Sequence, residues 1–298
     1  MTGARGSILV TGARGQLGRE LVAALAAHGS VVALDRTSLD LADADAIVRV
    51  VRDIAPAWIV NAGAYTAVDR AETERDRAFA VNAHAPGVLA GEAKRLGAIL
   101  IHYSTDYVFD GSASVPYAED AQPNPLNVYG VTKLEGERAI AAVGACALTF
   151  RTSWVYGLAG GNFLVTIRRL AAERDELRVV ADQAGVPNWT RALARATAAV
   201  VGRGRPYVAE RAGLYNLSAQ GQATWWDFAC AIVGNVPQPR VIPITTAEYP
   251  TPARRPAYGV LATGRLREVF GLALPQWRDA LHECLTSSAE PMPADRVG

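Results

Sequence analysis

From residue 7 to residue 153, short apolar runs alternate with stretches in which apolar residues recur at helical spacing. The apolar runs are "SILVTG" (7–12), "VVALD" (31–35), "AWIVNAGA" (57–64), "AILIHYST" (98–105) and "ACALTFRTS" (145–153). Between them, helices are predicted at 16–29, at 42–56, near 75–96 and up to about 143. Continuously apolar strands separated by helices are typical of a parallel sheet that is covered on both faces. The sequence therefore predicts an α/β protein with a Rossmann-like, doubly wound parallel sheet.

Beyond residue 153 this regularity loosens, and proline-rich connections appear at 237–256. We predict a dinucleotide-binding domain that comprises residues 1–156 plus about 184–222. A smaller, interleaved C-terminal substrate lobe is predicted for about 157–183 plus 223–290, followed by a flexible tail at 291–298.

Composition excludes several classes of protein. The chain has 298 residues, of which 50% are hydrophobic, and a formal net charge of +1 without a basic run, so no binding of nucleic acid is expected. No apolar run reaches membrane-spanning length, and the one near the N-terminus is too short for a signal peptide, so we expect no membrane association and a cytoplasmic location. Cys146, Cys230 and Cys284 form no C-x-x-C pair, which argues against a disulfide framework and a zinc site.

The segment "TGARGQLG" (11–18) places glycines between a predicted strand and a predicted helix. Gly12, Gly15 and Gly18 permit a tight turn, close approach of a pyrophosphate to the backbone, and close packing of the helix on the strand. Asp35 ends the second strand, where a ribose-binding acid belongs. The segment predicts a dinucleotide site, and the alternative is a glycine-rich turn without a ligand.

A second signal is "NVYGVTKLEGE" (127–137), at the start of the helix that ends near 143. It holds Lys133, one of only two lysines in the chain, the other being Lys94. Tyr129 and Lys133 are four residues apart, so on a helix both side chains can reach one pocket. An ammonium group beside a tyrosine favours the phenolate and eases proton exchange. The pair predicts acid–base chemistry, against the alternative of an exposed aromatic beside a solvated cation.

The glycine spacing and the Tyr-x-x-x-Lys pair resemble those of the short-chain dehydrogenase/reductase superfamily, in particular its extended members that act on nucleotide sugars. In "HYSTDYVFDG" (102–111), this resemblance makes Thr105 the hydroxyl that hydrogen-bonds the reacting carbonyl, with Ser104 beside it. Sugar-nucleotide dehydratases of the superfamily carry an Asp-Glu pair after this threonine, whereas this chain has Asp106 and Tyr107. The missing carboxylate argues against dehydration and for a plain ketone reduction.

Five segments in colinear order, "VDRAE", "HYSTDYVFDG", "NVYGVTKLEGE", "FRTSWVYG" and "YPTPARRP", are similar to those of the dTDP-4-dehydrorhamnose reductase family. The resemblance spans residues 7 to about 285. It implies that a dTDP-sugar, dTDP-4-dehydro-L-rhamnose, is reduced at its 4-keto group by NADPH or NADH. It also implies that Tyr129 gives the proton to the sugar oxygen, that Lys133 holds the nicotinamide ribose, and that Thr105 completes the catalytic set.

Two sets of binding residues follow from the same resemblance. The cofactor set is Gly12, Gly15, Gln16, Leu17, Gly18, Asp35, Asp40, Leu41, Ala64, Tyr65, Thr66, Tyr103, Tyr129 and Lys133. The substrate set is Ser104, Thr105, Asp106, Trp154, Arg254 and Arg255.

Several members of these sets have plainer alternatives. Trp154 also suits packing between the lobes, Asp40 and Leu41 suit a helix cap and a core position, and Asp106 suits a role in fixing its own loop. The two arginines suit a diphosphate because guanidinium groups offer forked donors, but they equally suit a surface loop.

Metal binding and assembly are the points where the chain departs from the family. Some members use glutamates to hold magnesium at a dimer contact, and Glu20 occupies one matching position. Arg191 stands where a further acid is expected, and an arginine cannot ligate a cation. We therefore doubt a role for magnesium, assign no metal site, and expect a monomer or a weak homodimer.

Two neighbouring residues favour different cofactors. Asp35 favours an unphosphorylated ribose, whereas Arg36 suits a 2′-phosphate. Use of both NADH and NADPH is expected.

Two other functions fit the same residues. One is another nucleotide-sugar 4-ketoreductase or an epimerase, of the streptose or amino-deoxysugar type. The other is a non-catalytic regulatory binding subunit, which the intact set of Thr105, Tyr129 and Lys133 argues against. No histidine is expected to be needed for turnover, and His102 is predicted to be structural rather than a proton carrier.

Overall fold

The strands that the alternating pattern predicts are present. A computed structural model describes residues 6–234, 237 and 239–287. In chain order the strands are β1 (Ile8–Thr11), β2 (Val31–Leu34), β3 (Trp58–Asn61), β4 (Ile99–Thr105), β5 (Ala147–Thr152), β6 (Val155–Tyr156), β7 (Glu176–Val180), β8 (Ala184–Gly185), β9 (Asn188–Trp189), β10 (Gly213–Asn216), β11 (Ala223–Thr224) and β12 (Arg240–Ile244).

The largest sheet of the described residues has six parallel strands in the order β10-β5-β4-β3-β1-β2. The strand order reverses at β1, because the chain leaves β1 for the β2 edge and then returns to place β3 on the other side. In open α/β sheets, ligands bind at the carboxyl ends of the strands that flank such a reversal. The predicted Rossmann-like, doubly wound sheet is confirmed.

Helices cover both faces of this sheet. In chain order they are α1 (Gln16–Leu25), α2 (Ala44–Ile54), α3 (Val68–Ala71), α4 (Arg75–Phe79), α5 (Ala85–Leu96), α6 (Val128–Val143), α7 (Phe163–Glu173), α8 (Thr190–Gly202), α9 (Arg205–Ala209), α10 (Trp225–Val233), α11 (Gly264–Phe270) and α12 (Trp277–Ser287). On one face α1 packs against α8, and on the other α5 packs between α2 and α6.

Neighbouring residues of β1 pack into different layers. Ile8 and Val10 join the core beneath α1 and α8, whereas Leu9 joins the core beneath α2 and α5. All three side chains are fully buried. A strand that is buried on both faces has no polar side, which explains why the sequence shows a continuous apolar run rather than an alternation.

The predicted helix near 75–96 is divided in the structure. A π-helical turn, Ala80–His84, separates α4 from α5. Such turns are frequent at functional sites. Here the turn carries Asn82, which is buried and bonds the loop after β3. The first predicted helix, 16–29, ends earlier, at Leu25.

Smaller elements accompany the large sheet beyond β6. β7 pairs with β12 and β6 with β9 in parallel, and β8 pairs with β11 in antiparallel. α7 and α10 pack together and against β7, whereas α11 packs on β10 of the large sheet. The predicted boundaries of the substrate lobe stay a prediction. The predicted tail, 291–298, lies outside the described residues.

A buried ion pair joins α6 to the large sheet. Arg151 in β5 donates through Nε and Nη2 to the two carboxylate oxygens of Glu137, at 2.9 and 2.6 Å. The two side chains are 3% and 8% exposed. Because neither charge is solvated, each depends on the other for its stabilisation.

Replacing Glu137 by Ala should lower the free energy of unfolding by about 3–5 kcal/mol, because Arg151 is then left buried without a counter-charge. The control is Glu173→Ala, which removes an exposed ion pair with Arg169. That variant should lose no more than about 1 kcal/mol. Urea unfolding followed by circular dichroism measures both, and equal small losses would contradict the weight given to the buried pair.

Candidate active site

Polar side chains gather at the carboxyl ends of β1, β3 and β4. Thr11, Asn61 and Thr105 are the last residues of these strands, and all three are buried. α6 packs beside the same edge and contacts β4. The candidate site therefore lies where the strand order reverses.

The turn between β1 and α1 requires glycine at two positions. Gly12 has a φ of +65°, and a Cβ there would lie 2.6 Å from the backbone of Gly63. At Gly18, a Cβ would overlap the backbone oxygen of Gly12. Only glycine allows this close packing of α1 on the strand end.

The start of α1 fits a dinucleotide. Its N-cap is Gly15, and no side chain caps the helix. An uncapped helix start presents backbone N–H groups and the positive end of the helix dipole to an anion. Within the described residues, the buried Oε1 of Gln16 has no hydrogen-bond partner, and Leu17 packs half-buried against the core.

Asp35 follows β2 and is held as a carboxylate. It accepts hydrogen bonds from the hydroxyl of Thr37 at 2.6 Å and from the backbone N–H groups of Thr37 and Ser38, at 2.9 and 3.1 Å. The Thr37 hydroxyl, followed by the other bonds, lowers the pKa of Asp35 to about 2. Arg14 lies 2.8 Å from the other carboxylate oxygen and is exposed. A negative and a positive side chain, Asp35 and Arg14, therefore lie together at the end of the site next to β2.

Asp40 and Leu41 lie between this acid and the loop after β3. Asp40 accepts from the backbone N–H of Ala42 at 3.0 Å and pairs with Arg77 at 2.8 Å. The N-cap of α2 is Asp43, so the helix-cap alternative for Asp40 is wrong. Leu41 is buried in the core, as its alternative proposed. Contacts of either residue with a cofactor stay a prediction.

The segment Ala64-Tyr65-Thr66 is fixed by Asn82. The amide oxygen of Asn82 accepts from the backbone N–H of Tyr65 at 2.8 Å, and its amide nitrogen donates to the backbone oxygen of Tyr65 at 3.0 Å. The same nitrogen lies 3.1 Å from the hydroxyl of Thr132 in α6. Asn82 thus ties the loop after β3 to the helix that carries the Tyr-x-x-x-Lys pair. Sequence reasoning missed it, although a polar residue at a buried helical position was a usable signal.

Tyr129 lies in the first turn of α6. The helix is capped by Asn127, whose side chain accepts from the backbone N–H of Gly130 at 2.8 Å. The half-buried ring of Tyr129 meets that of Tyr107 edge to face, with the centroids 5.8 Å apart. Burial raises the pKa of Tyr129 to about 12, although the Thr105 hydroxyl opposes the rise. The phenol is therefore protonated at neutral pH.

Lys133 is 2% exposed. Its Nζ donates to the backbone oxygen of Tyr103 at 2.5 Å and lies 3.3 Å from Nε2 of His102. Burial lowers the pKa of Lys133 to about 8, with the Glu137 charge opposing. The expected lowering of the Tyr129 pKa by this lysine is therefore corrected. The amine is directed to β4, and burial dominates the pKa of the phenol.

Unpartnered polar atoms occur at the end of β4 and directly after it. Within the described residues, Oγ of Ser104 and Oδ2 of Asp106 are buried without hydrogen-bond partners. The hydroxyl of Thr105 donates to the other oxygen of Asp106 at 3.1 Å. Burial raises the pKa of Asp106 to about 7. Buried polar groups are normally hydrogen-bonded, so these two atoms are free to bind water or a polar ligand.

Tyr103 and Trp154 make contacts that their predicted roles did not require. The hydroxyl of Tyr103 lies 2.7 Å from that of Thr197 in the core, so only its backbone oxygen, bonded by Lys133, faces the site. Trp154 stacks on Trp225 with ring centroids 3.6 Å apart. This stacking agrees with the alternative in which Trp154 has a packing role. A contact of Trp154 with the sugar stays a prediction.

The two arginines of "PARRP" differ. Arg255 donates to both carboxylate oxygens of Asp69, at 3.1 and 2.8 Å, and to Thr251 at 2.5 Å. Its donors are thus engaged in steadying a loop, which favours the plainer alternative. Arg254 is exposed, and its backbone oxygen accepts from the Asn127 side chain at 2.7 Å.

A parallel Rossmann sheet whose glycine turn and Tyr-x-x-x-Lys helix meet at one edge is characteristic of an oxidoreductase of the short-chain dehydrogenase/reductase type. The family model described as RmlD substrate binding domain matches residues 6–290. A dTDP-4-dehydrorhamnose reductase of Burkholderia thailandensis is 48% identical over 290 residues, covering 93% of this chain and 97% of that protein. The chain belongs to the dTDP-4-dehydrorhamnose reductase family.

Further relatives agree with this family. The dTDP-4-dehydrorhamnose reductase of Escherichia coli is 43% identical, covering 95% of this chain and 99% of that protein. The crystal structure of the Bacillus anthracis reductase, in complex with NADP, has a TM-score of 0.87 and 33% identity, covering 95% of this chain and 99% of that one. The Clostridium acetobutylicum structure has a TM-score of 0.89 and 37% identity, covering 95% of this chain and all of that one. The predicted family and enzyme class, an NAD(P)H-dependent oxidoreductase, are confirmed.

Glu20 and Arg191 form an ion pair. Nε of Arg191 donates to the carboxylate of Glu20 at 3.0 Å. Among the described residues, no group of three or more His, Cys, Asp or Glu side chains is placed to hold a metal ion. The same part of the chain contains no helix of the length and apolarity needed to span a membrane.

The Asp106 carboxyl should make stability depend on pH. Its pKa of about 7 exceeds the value near 3.9 of an unfolded chain, so the folded protein holds this proton more tightly. We compare the free energy of unfolding of the native protein with that of Asp106→Asn. The difference, native minus variant, should fall by on the order of 4 kcal/mol as the pH rises from about 4 to about 7. Urea unfolding of both proteins across this range gives the difference. A flat difference would show that the carboxyl is not buried as described.

Proposed function

We propose that this protein reduces the 4-keto group of dTDP-4-dehydro-L-rhamnose to give dTDP-L-rhamnose, with NADPH or NADH as the source of the hydride. The observation that supports the proposal is that the helix with Tyr129 and buried Lys133 packs on β4, which ends at Thr105, in a chain of this reductase family. A bound nicotinamide would supply the hydride to the keto carbon, and the protein must supply one proton and a polarised oxygen.

Tyr129 is the proton donor in this proposal. Burial keeps its phenol protonated at neutral pH, so a proton is available when charge develops on the substrate oxygen. The Thr105 hydroxyl opposes the rise of the Tyr129 pKa, which supports the proposal that both hydroxyls bind the same carbonyl oxygen. Lys133, whose amine is held at β4, is proposed to orient the nicotinamide ribose and to restore the proton to Tyr129.

The proposed cofactor site follows the sheet edge from the glycine turn to α6. The uncapped N-terminus of α1 suits the pyrophosphate, and Asp35 suits the adenosine ribose. The proposed substrate site uses Ser104, Asp106 and Trp154, with Arg254 as the arginine open to a diphosphate. The elements at about 157–183 and 223–290 are proposed to form the substrate lobe.

Reduction at a different nucleotide sugar remains the alternative, because the reacting groups would be the same. Dehydration is disfavoured because Tyr107, not a carboxylate, follows Asp106. Identifying the product by NMR separates the two reductases. The Arg191–Glu20 pair is consistent with the proposal of a monomer or weak homodimer that does not need magnesium.

Tyr129→Phe should reduce turnover by about 10²–10⁴-fold, because it removes the proton donor and leaves the ring in place. The assay supplies dTDP-4-dehydro-L-rhamnose with NADPH and follows the absorbance of the reduced cofactor. The control is Tyr249→Phe, at a tyrosine that is 60% exposed. Turnover by Tyr129→Phe at the control's rate would remove Tyr129 as the donor, and no turnover by the native protein would reject the substrate.

Asp35→Asn should shift the cofactor preference toward NADPH. The carboxylate suits a ribose 2′-hydroxyl and repels a 2′-phosphate, whereas Arg14 and Arg36 attract the phosphate. We expect the ratio of kcat/KM for NADPH to that for NADH to rise about tenfold, the change that a shift of ~1.4 kcal/mol produces. Asp53→Asn, at an exposed site on α2, is the control. An unchanged ratio would place the adenosine ribose elsewhere.

A further inference from the structure

A series of buried polar side chains leads from the end of β1 to Lys133. The hydroxyl of Thr11 donates to the amide oxygen of Asn61 at 2.6 Å, and the amide nitrogen of Asn61 lies 3.0 Å from Nδ1 of His102. On the other side of the ring, Nε2 of His102 lies 3.3 Å from Nζ of Lys133. All four residues are 1–2% exposed. The polar series therefore crosses from β1 through β3 and β4 to α6.

Packing alone does not account for this arrangement. A buried polar side chain needs hydrogen-bond partners to offset its desolvation, whereas an apolar core residue at the same position needs none. Both ring nitrogens of His102 have one partner each, and one of these partners is the amine of the Tyr-x-x-x-Lys pair. The amine has a second contact, the backbone oxygen of Tyr103. The two contacts together define its position.

We propose that His102 is a positioning residue for the reaction: its Nε2 holds the amine of Lys133 in place, while Asn61 and Thr11 hold the imidazole. The inference rests on the proposed function only for the role of Lys133 in turnover. His102 does not touch the substrate and does not carry the reacting proton. The structural role predicted for His102 is thereby specified: it positions Lys133.

The arrangement also determines which ring nitrogen carries the proton. Burial, followed by the nearby Lys133 charge, holds the pKa of His102 well below its ordinary value, so the ring is neutral and has one donor and one acceptor nitrogen. Because the amide nitrogen of Asn61 faces Nδ1, the proton lies on Nε2 and is directed at Lys133. In this arrangement Nζ of Lys133 accepts from Nε2, which requires the neutral amine, the form that prevails above the Lys133 pKa of about 8.

Asn61 suits both charge states of Lys133. When the amine takes up a proton, Nε2 must accept instead, so the ring proton moves to Nδ1 and Asn61 must turn its oxygen toward the ring. An amide offers a donor at one end and an acceptor at the other, which a carboxylate does not. His102 can therefore hold the amine or the ammonium while staying neutral itself.

Two substitutions of His102 test its two hydrogen bonds separately, because each keeps one bond and removes the other. The amide of His102→Gln reaches the place of Nε2 and keeps a partner for Lys133. The shorter amide of His102→Asn reaches only the place of Nδ1 and keeps a partner for Asn61. In the NADPH assay, we expect His102→Gln to stay within about threefold of the native rate and His102→Asn to fall about ten- to a hundredfold, as the loss of one hydrogen bond to a charged group predicts.

Lysine NMR provides a readout that needs no substrate. The chain has two lysines, so selective ¹³C labelling yields two sets of signals, and exposed Lys94, bonded to the backbone oxygen of Val143 at 2.8 Å, is an internal reference. We expect the Lys133 side-chain signal to move in His102→Asn, to stay near its native position in His102→Gln, and the Lys94 signal to stay unchanged in both. Circular dichroism establishes that the variants compared are folded.

Outcomes on both readouts are decisive. Equal rates and equal Lys133 signals in His102→Gln and His102→Asn would overturn the proposal. A double mutant gives a second test, because the effects of residues that act through one another are not additive. If adding His102→Asn to Lys133→Met lowered the rate further, the proposal would also be overturned. If the native protein fails to turn over the dTDP-sugar, the proposed function falls, while the lysine spectra still decide whether His102 holds Lys133.

Discussion

Burial of the Lys133 amine is the constraint on which the site depends. A desolvated ammonium group is costly, so the fold must either provide hydrogen-bond partners or favour the neutral amine. This protein does both. The backbone oxygen of Tyr103 and the ring of His102 are the hydrogen-bond partners, and burial lowers the pKa of Lys133. Glu137, one turn further along α6, is occupied by Arg151 and so opposes the lowering only in part.

Features set by local spacing were predictable from the sequence. The strand runs, the glycine turn and the Tyr129–Lys133 spacing each depend on residues a few positions apart. The structure contains the predicted strands and the turn, and it carries Tyr129 and Lys133 on one helix. The contacts of Asn61 and Asn82 were not predictable, because they join residues 41, 17 and 50 positions apart. Spacing along one helix does not reveal what a distant strand presents to it.

The charge state of Tyr129 shows the same limit. Sequence reasoning placed a cation beside the phenol and expected it to favour the phenolate form, but spacing says only that the two side chains share a helix face. In the fold the amine turns to β4, and the half-buried phenol keeps its proton. A pKa depends on what surrounds a group from every element, and this is known only once those elements are packed.

Trp154 follows β5 with a φ of +41°, a backbone conformation that non-glycine residues seldom adopt and that costs about 1–3 kcal/mol. Its ring is trapped between Trp225 and the backbone at Gly185, so the surrounding side chains maintain the unfavourable torsion. Any displacement of α10 that slides the indole of Trp225 would release that torsion at the exit of the central sheet. The end of the central sheet is therefore joined to α10 by an aromatic stack that also maintains an unfavourable backbone torsion.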